Sequence, residues 1–229
     1  MVLTSCHCDQ RDFNQLIIND TQQARAEAAR IIHSGGVIAF RTDTFYGLGA
    51  DPFNANAVRK IRELKGREDT KPILLLISDP REIDRLIVHQ TSLFESIANR
   101  FWPGPITLIG EARSELPEEL TAGTHTIGLR LPDDEKVRSL VRECGGVLTA
   151  TSANTSGNEP AKTAAEVESY FPEGIDLVLD SGMTMATQAS TVLDVSGESP
   201  KLIREGAVTR KMLKSLSADF AATPESHSA

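Results

Sequence analysis

TQQARAEAARIIHSGGVIAF, residues 21–40, is the stretch whose reading decides the fold class. Asp20 ahead of it reads as the helix N-cap, the alanine-rich body carries apolar residues at helical spacing, and Gly35-Gly36 stop it. Val37 to Phe40 (VIAF) then reads as a short buried strand, and RTDTFYGLGADPF, residues 41–53, as a loop rich in hydroxyls and glycine. A helix running straight into an apolar strand points to an α/β protein.

Outward from that unit the alternation continues. Asn54 to Leu64 carries Ala57, Val58, Ile61 and Leu64 at helical spacing, and Ile73 to Ile77 is a continuous apolar strand. Helical patterns near Arg81 to Ile87 and Thr91 to Arg100 precede Trp102-Pro103-Gly104-Pro105, which forces a break. Strands follow at 106–109, 127–131, 147–150, 177–179, 191–194 and 201–203, with helices at 134–144, 164–170 and 209–220 between or after them. The expectation is one α/β domain, a twisted mixed sheet with flanking helices, over residues 21–220. Residues 1–20 read as an irregular N-terminal segment and AATPESHSA, residues 221–229, as a disordered tail.

Composition narrows the function classes. The 229 residues are 40% hydrophobic and 24% charged, within the range of soluble globular chains. Asp plus Glu outnumber Lys plus Arg by 32 to 24, a net charge of -8, and aromatics are 5%. That balance argues against a surface built wholly for polyanions and leaves room for a local basic patch. An odd set of cysteines, Cys6, Cys8 and Cys144, points to a reducing compartment. MVLTSCHCDQRDF lacks the regions of a secretory signal, and no apolar run approaches the roughly 20 residues that span a bilayer. A cytoplasmic location and no membrane partner are expected. Cys6-His7-Cys8 does not match the usual zinc spacings.

Common nucleotide signatures are missing. There is no GxxxxGK[ST], Gly47-x-Gly49 lacks the third glycine of a dinucleotide fingerprint, and HExxH and GxSxG are absent. The densest basic stretch runs from Arg59 to Lys71, set against Glu63, Glu68 and Asp69. By charge alone it is a solvated helix face. With the helix ending near Gly66, Arg67 and Lys71 fall on the connection into the next strand, where a cluster can clamp phosphates. Loops following apolar strands, Thr42-Asp43-Thr44, Tyr46-Gly47-Leu48-Gly49 and TSANTSG at 151–157, suit a small polar ligand, though TSANTSG also reads as an N-cap and turn segment. Arg130 stands alone in an apolar run, as a carboxylate clamp does; its bland reading is an arginine on the solvent face of a half-exposed strand. Cys144 reads as core, Trp102 as packing, and His125 as a neighbour of the site.

TDTFYGLG, LKGRxxxKPI, WPGPITLI, TIGLRLP, TSANTSG, ASTVLD and LIREG stand here in the order seen in the YrdC/Sua5 family, which the chain resembles from about Val37 to Gly206. The pairs Lys65-Gly66-Arg67 and Ser152-Ala153-Asn154 match that family's KxR and SxN signature. The resemblance implies a YrdC-like fold and a nucleotidyltransferase that makes L-threonylcarbamoyladenylate and pyrophosphate from L-threonine, bicarbonate or CO2, and ATP. The product would serve N6-threonylcarbamoyladenosine formation at position 37 of tRNA, through a separate threonylcarbamoyl transferase complex. Lys65, Arg67 and Lys71 are the implied catalytic cations. Arg67, Lys71, Thr126, Ser152, Asn154, the backbone near Pro160, and Arg204 would bind ATP. Thr44, Arg130, the backbone at Ala150, and Ser190 would hold threonine. Mg2+ is expected with ATP and no protein-held metal, and a contact with tRNA or double-stranded RNA is expected. Leu76 stands where some relatives carry a threonine-binding histidine, and a chain ending at Ala229 fits the short YrdC type. The alternatives are an RNA-binding module of the same fold and a carbamoyl-adenylate-forming domain related to hydrogenase maturation.

Overall fold

The computed structural model describes residues 16–66, 72–155 and 157–214. In chain order these contain strand β1 (Leu16–Asn19), helix α1 (Gln22–His33), the hairpin β2 (Ile38–Arg41) and β3 (Tyr46–Gly49), α2 (Ala55–Leu64) and β4 (Leu75–Ile77). A 3-10 turn, Pro80–Arg85, leads to α3 (Ser92–Phe101), β5 (Ile106–Glu111), α4 (Glu118–Thr121), β6 (Thr126–Arg130) and α5 (Glu135–Glu143). The chain ends with β7 (Val147–Thr149), β8 (Thr151–Ser152), α6 (Ala164–Tyr170), β9 (Leu177–Asp180), β10 (Thr191–Asp194), β11 (Lys201–Arg204) and α7 (Arg210–Lys214).

The α/β reading with mixed strand directions holds, but the strands divide between two sheets. One has the order β1-β9-β2-β3-β8 and the other β11-β10-β5-β6-β4-β7. Both mix parallel and antiparallel pairs. The segment expected to be irregular up to residue 20 ends in β1, which pairs in parallel with β9. The cap of α1 lies one residue later than expected: Thr21 accepts from the Ala24 N–H at 3.1 Å. Asp20 is unavailable because its carboxylate takes Arg25 Nε at 2.5 Å and Ser181 Oγ at 2.6 Å. The pattern at 81–87 forms a 3-10 turn, started by Pro80 and capped by Asp79.

Helix α2 forms for the reasons visible in its sequence. Asn54 caps it, Ala57, Val58 and Ile61 are its buried face, and Gly66 ends it at φ 63°. One apolar cluster joins that face to β3, β5 and β6 through Leu48, Ile106, Leu108 and Leu129. A second joins α1, α5 and β2 through Ala28, Ile32, Phe40, Val137 and Leu140. Cys144 belongs to the second cluster, and burial pushes its thiol up to about 12. Trp102 packs edge-on against Phe94, and its Nε1 donates to Ile106 O at 2.8 Å. No helix among the described residues is long and apolar enough to cross a membrane.

The chain passes directly between the sheets at two places. The step from β7 to β8 uses Ala150, whose N–H donates to Leu74 O at 2.8 Å, while Thr149 and Ala50 are bonded to each other across it. The connection from β9 to β10, residues 181–190, is the other. Candidate site residues gather at these crossings.

Candidate functional site

Register places two arginines on one face of the six-stranded sheet. Arg204 is opposite Val192, Val192 opposite Thr107, and Leu76 opposite Arg130. The antiparallel pair β5–β6 matches Leu108 with Leu129, which sets Thr107 opposite Arg130. Partners in adjacent strands project to the same side. Arg204, Thr107, Arg130 and Leu76 therefore form one row across the sheet.

Arg130 is 2% exposed, so it is no solvent-face arginine. Its Nε donates to Gly104 O and its Nη1 to Thr44 Oγ1, both at 3.2 Å, and its Nη2 lies 2.5 Å from Asp43 Oδ2. A guanidinium held from two loops is a preoriented fork for a carboxylate. Thr44 is in turn set by its own loop: Thr42 Oγ1 lies 3.1 Å from Thr44 Oγ1 and takes the Thr44 N–H at the same distance. Thr184 Oγ1 donates to the Thr44 carbonyl, and the Thr184 N–H donates to Lys162 O at 2.9 Å. The β9–β10 connection is thereby tied down over the TDT loop.

The start of that connection is fixed by Tyr46, fully buried. Its hydroxyl donates to Gly182 O at 2.9 Å and lies 3.3 Å from Asp180 Oδ1. Burial first, and then the Asp180 charge, push the phenol up to about 12, so it stays a donor. At the other end Ser190 is 3% exposed, with its Oγ 3.3 Å from Thr107 Oγ1. Arg204 reaches Ser190 with Nη2 to the carbonyl at 2.8 Å and to Oγ at 3.3 Å. The residue as a whole is exposed, but desolvation of its head and then the charge of Arg130 lower its pKa. Two like charges that penalise each other make a place for an anion.

Lys65, the C-cap just past α2, carries its ammonium into the SxN turn. Nζ donates to Ser152 O at 2.5 Å, Asn154 O at 2.7 Å and Asn154 Oδ1 at 3.1 Å, and Ser152 Oγ lies at 3.4 Å. Asn154 closes the turn by donating from Nδ2 to Asn158 O at 2.5 Å. Lys65 is 4% exposed. Arg67 and Lys71 lie outside the described residues. Thr126 stands at the start of β6, its hydroxyl 3.0 Å from that of Thr124 and bonded to none of the other candidates. Pro160 adjoins Ala161, whose carbonyl takes the Tyr46 N–H at 3.0 Å. His125 is exposed at φ 56°, and Leu76 is fully buried in the second apolar cluster.

Structure thus brings together Thr44, Arg130, Ser190 and Arg204 on one side, and Lys65, Ser152 and Asn154 on the other. Asp43, Thr107 and Thr184 belong to the first group; the sequence reading includes Asp43 only within the ligand-suited Thr42-Asp43-Thr44 loop and does not single out Thr107 or Thr184. Asp43 carried a signal, as the one acid inside the hydroxyl-rich TDTFYGLG. Thr184 carried none, because its role depends on a loop path across two sheets. Among the described residues, no group of three or more His, Cys, Asp and Glu side chains is placed to hold a metal ion.

A family model for Sua5, YciO and YrdC, described as telomere recombination, matches residues 30–206. A Bacillus subtilis threonylcarbamoyl-AMP synthase is 36% identical over 89% of this chain and 58% of its own length. The enzyme of the same name from Idiomarina loihiensis is 36% identical over 73% of this chain and 91% of its own. Pyrococcus abyssi Sua5 complexed with L-threonine superposes with a TM-score of 0.83 at 30% identity, covering 90% of this chain and 61% of that one. This chain therefore spans about three fifths of the length of the longer relatives it matches.

Proposed function

This chain belongs to the Sua5/YciO/YrdC family, and on that premise we propose that it is an L-threonylcarbamoyladenylate synthase that uses L-threonine, bicarbonate or CO2, and ATP. The supporting observation is the row that sets Arg130, gripped by Thr44 and Gly104, beside Ser190 and Arg204. An amino acid's carboxylate meets the Arg130 fork and its hydroxyl meets Thr44 or Ser190.

The threonine amine adds to CO2 and loses a proton to give a carbamate. A carbamate oxygen then attacks the α-phosphorus of ATP, and the bond to pyrophosphate breaks. Negative charge builds on phosphoryl oxygens, so fixed cations do the stabilising and no protein nucleophile is required. Arg204 faces this charge from the sheet. Arg67 and Lys71 take the triphosphate in this reading, and Ser152, Asn154, the backbone near Pro160 and Thr126 complete the nucleotide site. Lys65 shapes the 152–154 turn from within. Among the described residues the candidate donors are cations, hydroxyls and amides rather than a carboxylate cluster, and Mg2+ would ride on the triphosphate oxygens. We further propose that the product serves threonylcarbamoylation of tRNA adenosine through a separate transferase, in the cytoplasm, and that the chain contacts tRNA.

The experiment is product analysis with ATP, threonine and bicarbonate supplied together and one at a time omitted. Pyrophosphate and an AMP-linked threonylcarbamoyl product form only with all three. Pyrophosphate release that ignores threonine overturns the reading.

A further inference from the structure

Two buried atoms in the Arg130 clamp lack a hydrogen-bond partner: Arg130 Nη2 and Asp43 Oδ1. Their side chains are 3% and 11% exposed. Buried polar atoms without partners are uncommon, because each gives up water for nothing. Nε and Nη1 of the same guanidinium are satisfied by Gly104 O and Thr44 Oγ1. Nη2 is 2.5 Å from Asp43 Oδ2 but aims no N–H along that line, and Oδ2 also takes the Asp133 N–H at 3.3 Å. Arginine–carboxylate pairs frequently engage both oxygens in a bidentate contact. Here one oxygen is poorly aligned and the other is unused. Arg130 Nη2 is held by the ion pair alone, and Asp43 Oδ1 beside it accepts no hydrogen bond.

That arrangement is the complement of an amino-acid zwitterion, which carries a carboxylate and an ammonium on one carbon. We propose that Asp43 is the ammonium-receiving half of the amino-acid subsite: Arg130 Nη2 donates to the substrate carboxylate and Asp43 Oδ1 accepts from the α-ammonium. The proposal rests on the synthase reading and adds the group that distinguishes an amino acid from a hydroxy acid. Once the nitrogen becomes part of a carbamate its positive charge is gone, so Asp43 favours incoming threonine over the finished product.

The test compares threonine with (R)-3-hydroxybutyrate, which keeps the carboxylate, hydroxyl and methyl and lacks the amine. Calorimetry gives the affinity of each for wild type, Asp43→Asn and Asp43→Glu, and turnover gives KM and kcat for threonine. Losing a charge-assisted hydrogen bond predicts a fall in threonine affinity of about 10- to 100-fold in Asp43→Asn. Hydroxybutyrate affinity stays level or rises, ATP affinity is unchanged, and Asp43→Glu recovers part of the threonine loss. If Asp43 only braced Arg130, both ligands would weaken together, and that result overturns the proposal. Should Asp43→Asn not fold, the wild type still decides: equal affinity for the two ligands also overturns it. Wild-type protein that makes no product from threonine sinks the synthase reading instead.

Discussion

Lys65 meets four oxygens of Ser152 and Asn154 with an ammonium that has three protons. The sequence places it beside Arg67 as a phosphate cation, and nothing in a KxR spacing reveals that its head is buried in the SxN turn. A charge so enclosed holds structure as well as function. Hydrogen bonds to charged groups contribute about 1.5–3 kcal/mol, and the turn's oxygens have no other cation among these bonds. Lys65→Ala is expected to lose at least about 2 kcal/mol of stability in urea unfolding along with its activity. Lys65→Arg, whose planar head cannot meet oxygens on several sides, should restore little of either. Unchanged unfolding of Lys65→Ala would return the residue to a purely electrostatic role.

Strand β3 shows where element-level reading stops. Tyr46-Gly47-Leu48-Gly49 looks like a turn by composition, yet all four residues are buried between β2 and β8. Its glycines are required by neighbours rather than by flexibility: a Cβ on Gly49 would lie 2.8 Å from the Phe40 ring and 3.1 Å from Leu148. Periodicity recovers the strands that carry β-branched and aliphatic runs, and it misses strands defined by what presses on them. Two-residue β8 and four-residue α4 are invisible for the same reason, being too short for any period to register. Gly206, just past β11, makes the point testable. A Cβ there would sit 2.3 Å from Ala189 O and 2.7 Å from the Ser190 carbonyl carbon, both backbone. Gly206→Ala must therefore displace the Ser190 backbone, and with it the hydroxyl that lies 3.3 Å from Thr107 Oγ1. The expected result is a threonine KM raised at least about tenfold, with ATP affinity much less affected; equal loss for both substrates would place the damage elsewhere.

At the scale of the whole molecule, the helix–strand alternation in the sequence gives the α/β class, and it leaves open how many sheets the strands make. Sheet membership is decided by long-range pairing, as when β9 joins β1 and β2 in parallel while its successor β10 joins β5 in the other sheet. The candidate site is legible in part for the same reason. Residues inside the ordered motifs could be named, while Thr184, which works through the path of a connection, could not. That connection is fastened near Tyr46, at Thr184 and at Ser190, and between the last two it exposes Met185 at 82%. Its exposed stretch is a natural cleavage point for a nonspecific protease, and its fastenings are the walls of the proposed threonine subsite. The rate of nicking at residues 185–188 should then act as a gauge of occupancy. Threonine with ATP is expected to slow it severalfold in timed digests followed by mass spectrometry, while valine with ATP, which offers no hydroxyl to Thr44 or Ser190, should slow it far less.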